Sequence, residues 1–335
     1  MLPVEDRPDY DLEIDRIVSE IKRRRSHLVG IQIPDGLKRF TAHIRDQIVR
    51  RTDTIPVFCT EPCHGACDLS TTLPQIGCDL IVHMGHSKMV ESEVPVLYVH
   101  CYSTRSAVET LRSGISKIEE KTIGLVANLQ HVREIEAAKR LLRGEGHEVL
   151  VGGPSGRTEF PGQILGCDFT AAKQVSRDVE AFLYLGGGNF HPLGVSLATG
   201  KRVWIADPYR SEIREVERLR RRTLAIRFAK IEKARDARRI GIVVSTKPGQ
   251  RRMKEALRWY RLLRERGITP TMLSSDELDP RRLASYPLDA FLNLGCPRMV
   301  VEDAELFPKP ALTPPELEMV LGMRSWEDYV PDEIA

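Results

Sequence analysis

Nowhere in this sequence does an apolar run approach the roughly 18 residues that a membrane span requires. Its opening stretch, MLPVEDRPDYDLEID, is acidic and lacks the apolar centre of a secretory leader. These absences lead us to expect a cytoplasmic protein with no membrane contact. An excess of one charge is missing too: 50 Lys and Arg stand against 47 Asp and Glu, a formal net charge of +3. That balance argues against the basic footprint of a nucleic-acid binder, so no direct nucleic-acid partner is expected. The arginine groups KRRRSH (22–27) and RLRRRT (218–223) lie in or beside amphipathic helical patterns and read as solvated faces, with a docking patch for an acidic or RNA-bearing partner as the alternative. Two phosphate-binding spacings are also absent. GGGNFHPLG (186–194) is not G-x-G-x-x-G, and STKPGQ (245–250) is not G-x-x-x-x-G-K-[ST], which leaves a dehydrogenase or a kinase poorly supported.

What is present is the composition of an ordinary globular protein, 41% hydrophobic and 29% charged, in a chain of 335 residues that is long for one core. The chain repeats itself. HLVGIQIPDGL (27–37), KTIGLVANLQ (121–130) and RRIGIVVSTKPGQ (238–250) are short β-branched runs ending in polar or Gly/Pro turns, as buried parallel strands do. Helical periodicity follows each. Leu37, Ile44 and Ile48 share one face, as do Val132, Ile135, Ala138 and Leu142. In the third segment the stripe is Met253, Leu257, Tyr260 and Leu263, with Gly267 as the stop. A further helix, carrying Ile14, Ile17, Val18 and Ile21, precedes the first strand.

Second strands are expected at 54–59, 147–152 and 268–273, and third strands at 78–86, 179–188 and 288–297. VPVLYVH (94–100) and RVWIAD (202–207) add fourth strands to the first two segments. The pattern is α/β with parallel sheets, three times over, with borders near 110 and 210 giving domains 1–110, 111–210 and 211–335. Residues 211–237 lack Gly and Pro and read as a long connecting helix; the proline-rich tail after 307 should wrap the surface. Ligands of open parallel sheets bind at the carboxyl ends of the strands. Three such edges facing one another would form a central pocket.

Seven cysteines in a reducing compartment are not a disulfide framework but buried side chains, metal ligands or nucleophiles. Cys59, Cys63 and Cys67 form C-x3-C-x3-C within CTEPCHGAC, where Pro62 and Gly65 permit tight turns. This is neither the C-x2-C of zinc knuckles and ferredoxins nor the C-x3-C-x2-C of the radical S-adenosylmethionine enzymes. A distributed reading takes one cysteine from each segment: Cys67, Cys167 in LGCDFT and Cys296 in LGCPR, each close to glycine. Three thiolates hold three irons of a [4Fe–4S] cluster and leave one open; zinc with an open position is the competitor. Cys78 and Cys101, at strand ends, read as core residues, and a core role is equally open to Cys167 and Cys296.

IPDGL (33–37), EPCHGACD (61–68), GHS (85–87), LGCDF (165–169), GGGNFHPLG (186–194), KPGQ (247–250) and CPR (296–298) occur in the order found in one family. On these motifs, which span essentially the whole chain, the sequence resembles the archaeal diphthamide synthases of the Dph1/Dph2 family. That family usually has tyrosine where this chain has His64, which adds a possible ligand or proton donor. The resemblance implies three Rossmann-like domains with parallel sheets around a central cluster pocket, and a homodimer. It implies one [4Fe–4S] cluster per chain held by Cys67, Cys167 and Cys296, with Cys59 and Cys63 as bystanders. It further implies reductive cleavage of S-adenosyl-L-methionine at the γ-carbon and transfer of a 3-amino-3-carboxypropyl group to imidazole C2 of a histidine in translation elongation factor 2. An electron donor, not identified by the sequence, is implied as a second partner.

For S-adenosylmethionine the strand-end residues are the natural contacts. Arg298 suits a bidentate pair with the methionine carboxylate. Gly186, Gly187 and Gly188, leading into Asn189, permit close approach, and Asp35 and Gln250 suit amine or ribose groups. His86 with Ser87 follows a strand end and heads the histidines, ahead of His191, which precedes Pro192, and His83, which points toward the core. Two other classes remain at this stage: a nucleotide-binding α/β enzyme without a cluster, and a non-catalytic scaffold holding structural zinc.

Overall fold

The computed structural model describes residues 9–334, so most of the acidic opening stretch read above as lacking a leader lies outside the described residues. Three sheets make up the molecule. The first contains β1 (Leu28–Gln32), β2 (Ile55–Phe58), β3 (Leu80–Met84) and β4 (Val96–Val99) in the order β2-β1-β3-β4, all parallel. The second contains β5 (Thr122–Ala127), β6 (Glu148–Leu150), β7 (Ala181–Leu185), β8 (Arg202–Asp207) and β9 (Glu212–Glu215) in the order β6-β5-β7-β8-β9, with β9 antiparallel to β8. The third contains β10 (Arg239–Ser245), β11 (Thr269–Ser275), β12 (Ala290–Asn293) and β13 (Ala311–Leu312) in the order β11-β10-β12-β13, again parallel.

The central strands are buried on both faces and apolar apart from His83 in β3 and Asn293 in β12, because helices cover both sides of a parallel sheet. In each sheet the strand order reverses between the first and third strands, which opens a crevice at their carboxyl ends. The helices of the first two segments bury the stripes expected of them: Ile17, Val18 and Ile21; Ile44 and Ile48; Ile135, Ala138 and Leu142.

Three elements differ from expectation. The helix after β9 runs Glu217–Ala234 rather than across 211–237, because Ile213 sits on the second sheet's core and the chain pairs with β8 before it turns helical. In the helix Met253–Glu265 the buried residues are Ala256, Trp259 and Leu263, while Met253 and Leu257 are exposed. Burying the large indole of Trp259 sets the helix's rotation and turns those two outward. The tail after 307 does more than wrap the surface. Its β13 completes the third sheet, and Leu312, Glu316 and Leu317 are fully buried.

Candidate functional site

A cavity of about 340 Å³ lies where the carboxyl ends of strands from all three sheets meet. The first sheet contributes His86 and Ser87, which follow β3, and Cys67 from the loop after β2. From the second come Asn128, next after β5, and Cys167, in the loop beyond β6. Ser245 ends β10, Lys247 and Gln250 follow it, and Cys296 follows β12.

Cys67 sits in a tight turn, Ala66–Asp68, held by its own neighbours. The Asp68 carboxylate accepts from the His64 and Gly65 backbone N–H groups at 3.0 and 3.2 Å. The third sheet's loop closes on this turn. A side chain at Gly249 would place a Cβ 2.5 Å from the Cys67 Cα, so only glycine allows the approach. Gln250 Nε2 then donates to Cys67 Sγ at 3.3 Å, and Lys247 Nζ stands 3.4 Å from both Asp68 and Glu277. Burial works against the Lys247 charge, but Asp68, Glu277 and Asp276 outweigh it and hold its pKa above the ordinary value.

Cys167 is approached by Arg157, whose Nη2 is 4.0 Å from its sulfur, 3.0 Å from Met89 Sδ and 3.3 Å from the Gly249 carbonyl. Cys296 caps the short helix Pro297–Glu302 and has its carbonyl held by Asn293 Nδ2 at 2.9 Å. Burial pushes the thiols up, Cys67 to about 11 and Cys167 to about 12, and raises Cys296 as well. The thiols also act on one another. A charge on Cys67 or Cys296 raises Cys167, and one on Cys296 raises Cys67; all three line the same cavity. A bound metal replaces those protons and compensates the thiolate charge.

This donor set fits an iron–sulfur group. Three thiols come from three sheets, and Gln250 and Arg157 aim N–H groups at two of the sulfurs. Among the described residues, Arg157 Nε and the wall-lining Asn128 Oδ1 are buried without a hydrogen-bond partner. Asn128 Oδ1 faces a wall that is otherwise largely apolar, and Arg157 stands behind it against Cys167, so both atoms are open to a polar group at the site.

The other expected contacts divide. Arg298 lines the cavity, with Glu302 at 3.2 Å and His64 Nδ1 at 3.5 Å, and His191 lines it beside Phe190. His191 and His86 are both lowered to about 4 by burial, with Arg298 adding to the first effect and His64 to the second, so both rings are neutral near pH 7. Asp35 is not on the wall: it is exposed and paired with Lys38 at 2.6 Å, because the turn after β1 points it outward. Gly186, Gly187, Gly188 and Asn189 also stand off the wall. Arg214 takes the Gly188 carbonyl at 3.1 Å and Asn189 Oδ1 at 2.7 Å, and the chain reaches the cavity only at Phe190.

His83 is fully buried behind the wall, with Nε2 3.0 Å from His86 Nδ1 and 4.0 Å from Cys63 Sγ. Cys59 donates to Glu61 Oε2 at 2.8 Å and is not on the wall. Sequence reasoning missed Asn128, Lys247 and Arg157. The first two directly follow or closely trail strand ends, a signal that was available; Arg157 lies in a loop with none.

Fold and site together define an α/β protein whose three sheets each deliver one cysteine to a shared cavity. The family model described as "Putative diphthamide synthesis protein" matches residues 33–331, and the chain belongs to that family. It is 35% identical over 330 residues to a 2-(3-amino-3-carboxypropyl)histidine synthase of Pyrococcus horikoshii, covering 97% of this chain and 94% of the relative. It is 30% identical to the human 2-(3-amino-3-carboxypropyl)histidine synthase subunit 1, covering 96% of this chain and 74% of that one. The crystal structure of Dph2 from Pyrococcus horikoshii with a 4Fe-4S cluster superposes with a TM-score of 0.89 at 34% identity, covering 97% of this chain and 94% of the other. No helix among the described residues is long and apolar enough to cross a membrane.

Proposed function

We propose that this chain is a 2-(3-amino-3-carboxypropyl)histidine synthase. It moves the 3-amino-3-carboxypropyl group of S-adenosyl-L-methionine to imidazole C2 of a histidine in translation elongation factor 2, the first step of diphthamide formation. The observation that carries the reading is the meeting of Cys67, Cys167 and Cys296 in one cavity, in a chain so similar to a relative crystallised with a 4Fe-4S cluster. We assign these three thiols as the ligands of one [4Fe–4S] cluster per chain. When bound, such a cluster supplies the electron that breaks a sulfonium carbon–sulfur bond.

The protein's own part is positioning and exclusion. Three cysteines, not four, leave room for a substrate group. Arg298 offers its guanidinium to the methionine carboxylate at the cavity edge. Asn128 Oδ1 and Gln250 offer polar groups on the wall to the amine or ribose, and Ser87 and the neutral His86 and His191 rings line the same cavity. The apolar faces of Phe190 and Met89 keep water from the reacting bond. The choice of γ-carbon over 5′-carbon rests on pose, which this wall of fixed side chains controls.

The same reading carries three Rossmann-like domains, divided near 110 and 210, around the cluster pocket; a homodimer; and an external electron donor. The test is iron and acid-labile sulfide per chain after anaerobic reconstitution. Cys67→Ala, Cys167→Ala and Cys296→Ala should each lose or destabilise about four irons, while Cys59→Ala and Cys63→Ala keep them. The reverse pattern would move the site to the local CTEPCHGAC segment. A reconstituted protein that leaves S-adenosylmethionine intact under reduction would remove the assigned reaction.

A further inference from the structure

Behind the cavity wall, Cys63 Sγ, His83 Nε2 and His86 Nδ1 face one another: the two nitrogens are 3.0 Å apart and each lies 4.0 Å from the sulfur. None of these atoms has a role in holding the cluster. We propose that Cys63, His83 and His86 bind a single zinc ion, separate from the three-thiol site.

The proton on His83 is fixed by its neighbours. Gln32 and His83 are register partners on β1 and β3. Gln32 Nε2 donates to the Asp68 carbonyl at 2.8 Å, and its Oε1 accepts from the Ser70 backbone N–H at 3.0 Å. The amide is thereby oriented, so Oε1 accepts from His83 Nδ1–H at 2.9 Å. In a neutral ring this leaves Nε2 bare, with its lone pair toward His86 and Cys63. An imidazole whose far nitrogen donates to a fixed oxygen is the arrangement that holds histidine ligands on metals.

Two neutral rings placed so need either a proton or a metal between them. The thiol on the third side favours the metal, because two imidazoles and one sulfur form a set suited to zinc. Tetrahedral zinc would set nitrogens about 3.3 Å apart and sulfur about 3.6 Å from each. The observed 3.0 and 4.0 Å are within half an ångström of that, so a small turn of the Cys63 side chain closes the site. Asp68 is not the fourth ligand, since its oxygens already accept from His64, Gly65 and Lys247. The fourth position is left to water. His86 alone of the three lines the cavity, so the ion would brace one of its walls.

Zinc is measured by mass spectrometry on untagged, iron-reconstituted protein, and its shell by X-ray absorption at the zinc edge, where cluster iron does not contribute. About one zinc per chain is expected, with one sulfur near 2.3 Å and two histidine nitrogens near 2.0 Å in the shell. Cys63→Ser and His83→Ala should each lose the zinc at least tenfold while iron stays; Cys67→Ala should lose iron while zinc stays. Less than about a tenth of a zinc per chain in the parent protein would overturn the assignment and leave a proton shared between the rings. So would a shell without sulfur, or zinc that both variants retain. Failure of the cluster reading would appear in iron alone, so the two results are separable.

Discussion

Gly249 is a backbone position before it is a residue type: the Cys67 turn occupies the space a side chain would need. Gly249→Ala should therefore force the two loops apart, at a cost of about 1–3 kcal/mol of stability in urea unfolding, and should lower the iron retained after reconstitution. Gln250, next in the chain, donates to Cys67 Sγ. A hydrogen bond to a ligand sulfur favours the more electron-rich state of a metal group. Gln250→Leu should then shift the midpoint potential of the reconstituted protein to more negative values in a redox titration; an unchanged potential would mean that the amide has turned to substrate instead. Both residues were visible in KPGQ as a strand-end motif. Their contact with Cys67, nearly two hundred positions away, was not. Asp35 and Gly186–Asn189 were chosen by the same strand-end rule and lie off the wall, since a turn's direction depends on what packs beneath it.

Among the elements, those with a strong apolar period were legible and those stabilised by long-range pairing were not. β13 has two residues and follows a run of prolines, so nothing local marks it as a strand. It is held by a buried ion pair. Arg227, from the helix Glu217–Ala234, meets Glu316 at 2.7 and 2.6 Å and donates to the carbonyls of Val300 and Ala311. Both side chains are fully buried. Glu316 also accepts from the Thr313 N–H and the Tyr329 hydroxyl. Glu316→Ala would strand the guanidinium without a counter-charge and should cost about 3–5 kcal/mol. The double change Arg227→Met with Glu316→Leu should cost much less, which chemical denaturation of both variants would check. The helix Met253–Glu265 shows the limit of periodicity: two apolar stripes were available, and tertiary packing chose the one carrying Trp259.

At the scale of the whole molecule, the end of the described chain ties two of the cysteine loops together. Arg252 binds Asp332 at 3.0 and 2.7 Å while donating to the carbonyls of Leu294 and Gly295, just before Cys296. Two residues on, the Ile334 N–H donates to the Cys167 carbonyl at 3.0 Å. Burial raises the Asp332 carboxyl to about 6 from an ordinary 3.8, and Arg252 only partly offsets it. The folded state thus holds this proton more tightly than the unfolded chain. The group adds stability as pH falls from 7 toward 4 and loses that contribution as pH rises through about 6. Asp332→Asn cannot titrate, so the parent protein should gain on it by no more than about 3 kcal/mol over that interval, read from denaturation midpoints at each pH. A gap that does not change with pH would mean that the carboxyl keeps its ordinary value.

The sequence by itself determined the three-fold α/β repeat, the central strands, most of the amphipathic helices and the set of strand-end motifs. Each of these follows from local periodicity and turn chemistry, which a chain carries without knowing its neighbours. Only the tertiary structure decided which cysteines share a cavity, which strand ends reach its wall, and that Cys63 faces His83 and His86 instead. The physical reason is that such contacts depend on how three sheets dock. Docking is set by buried area and close approach, at Gly249 against Cys67 and at the chain end around Asp332 and Ile334, among residues far apart in the chain.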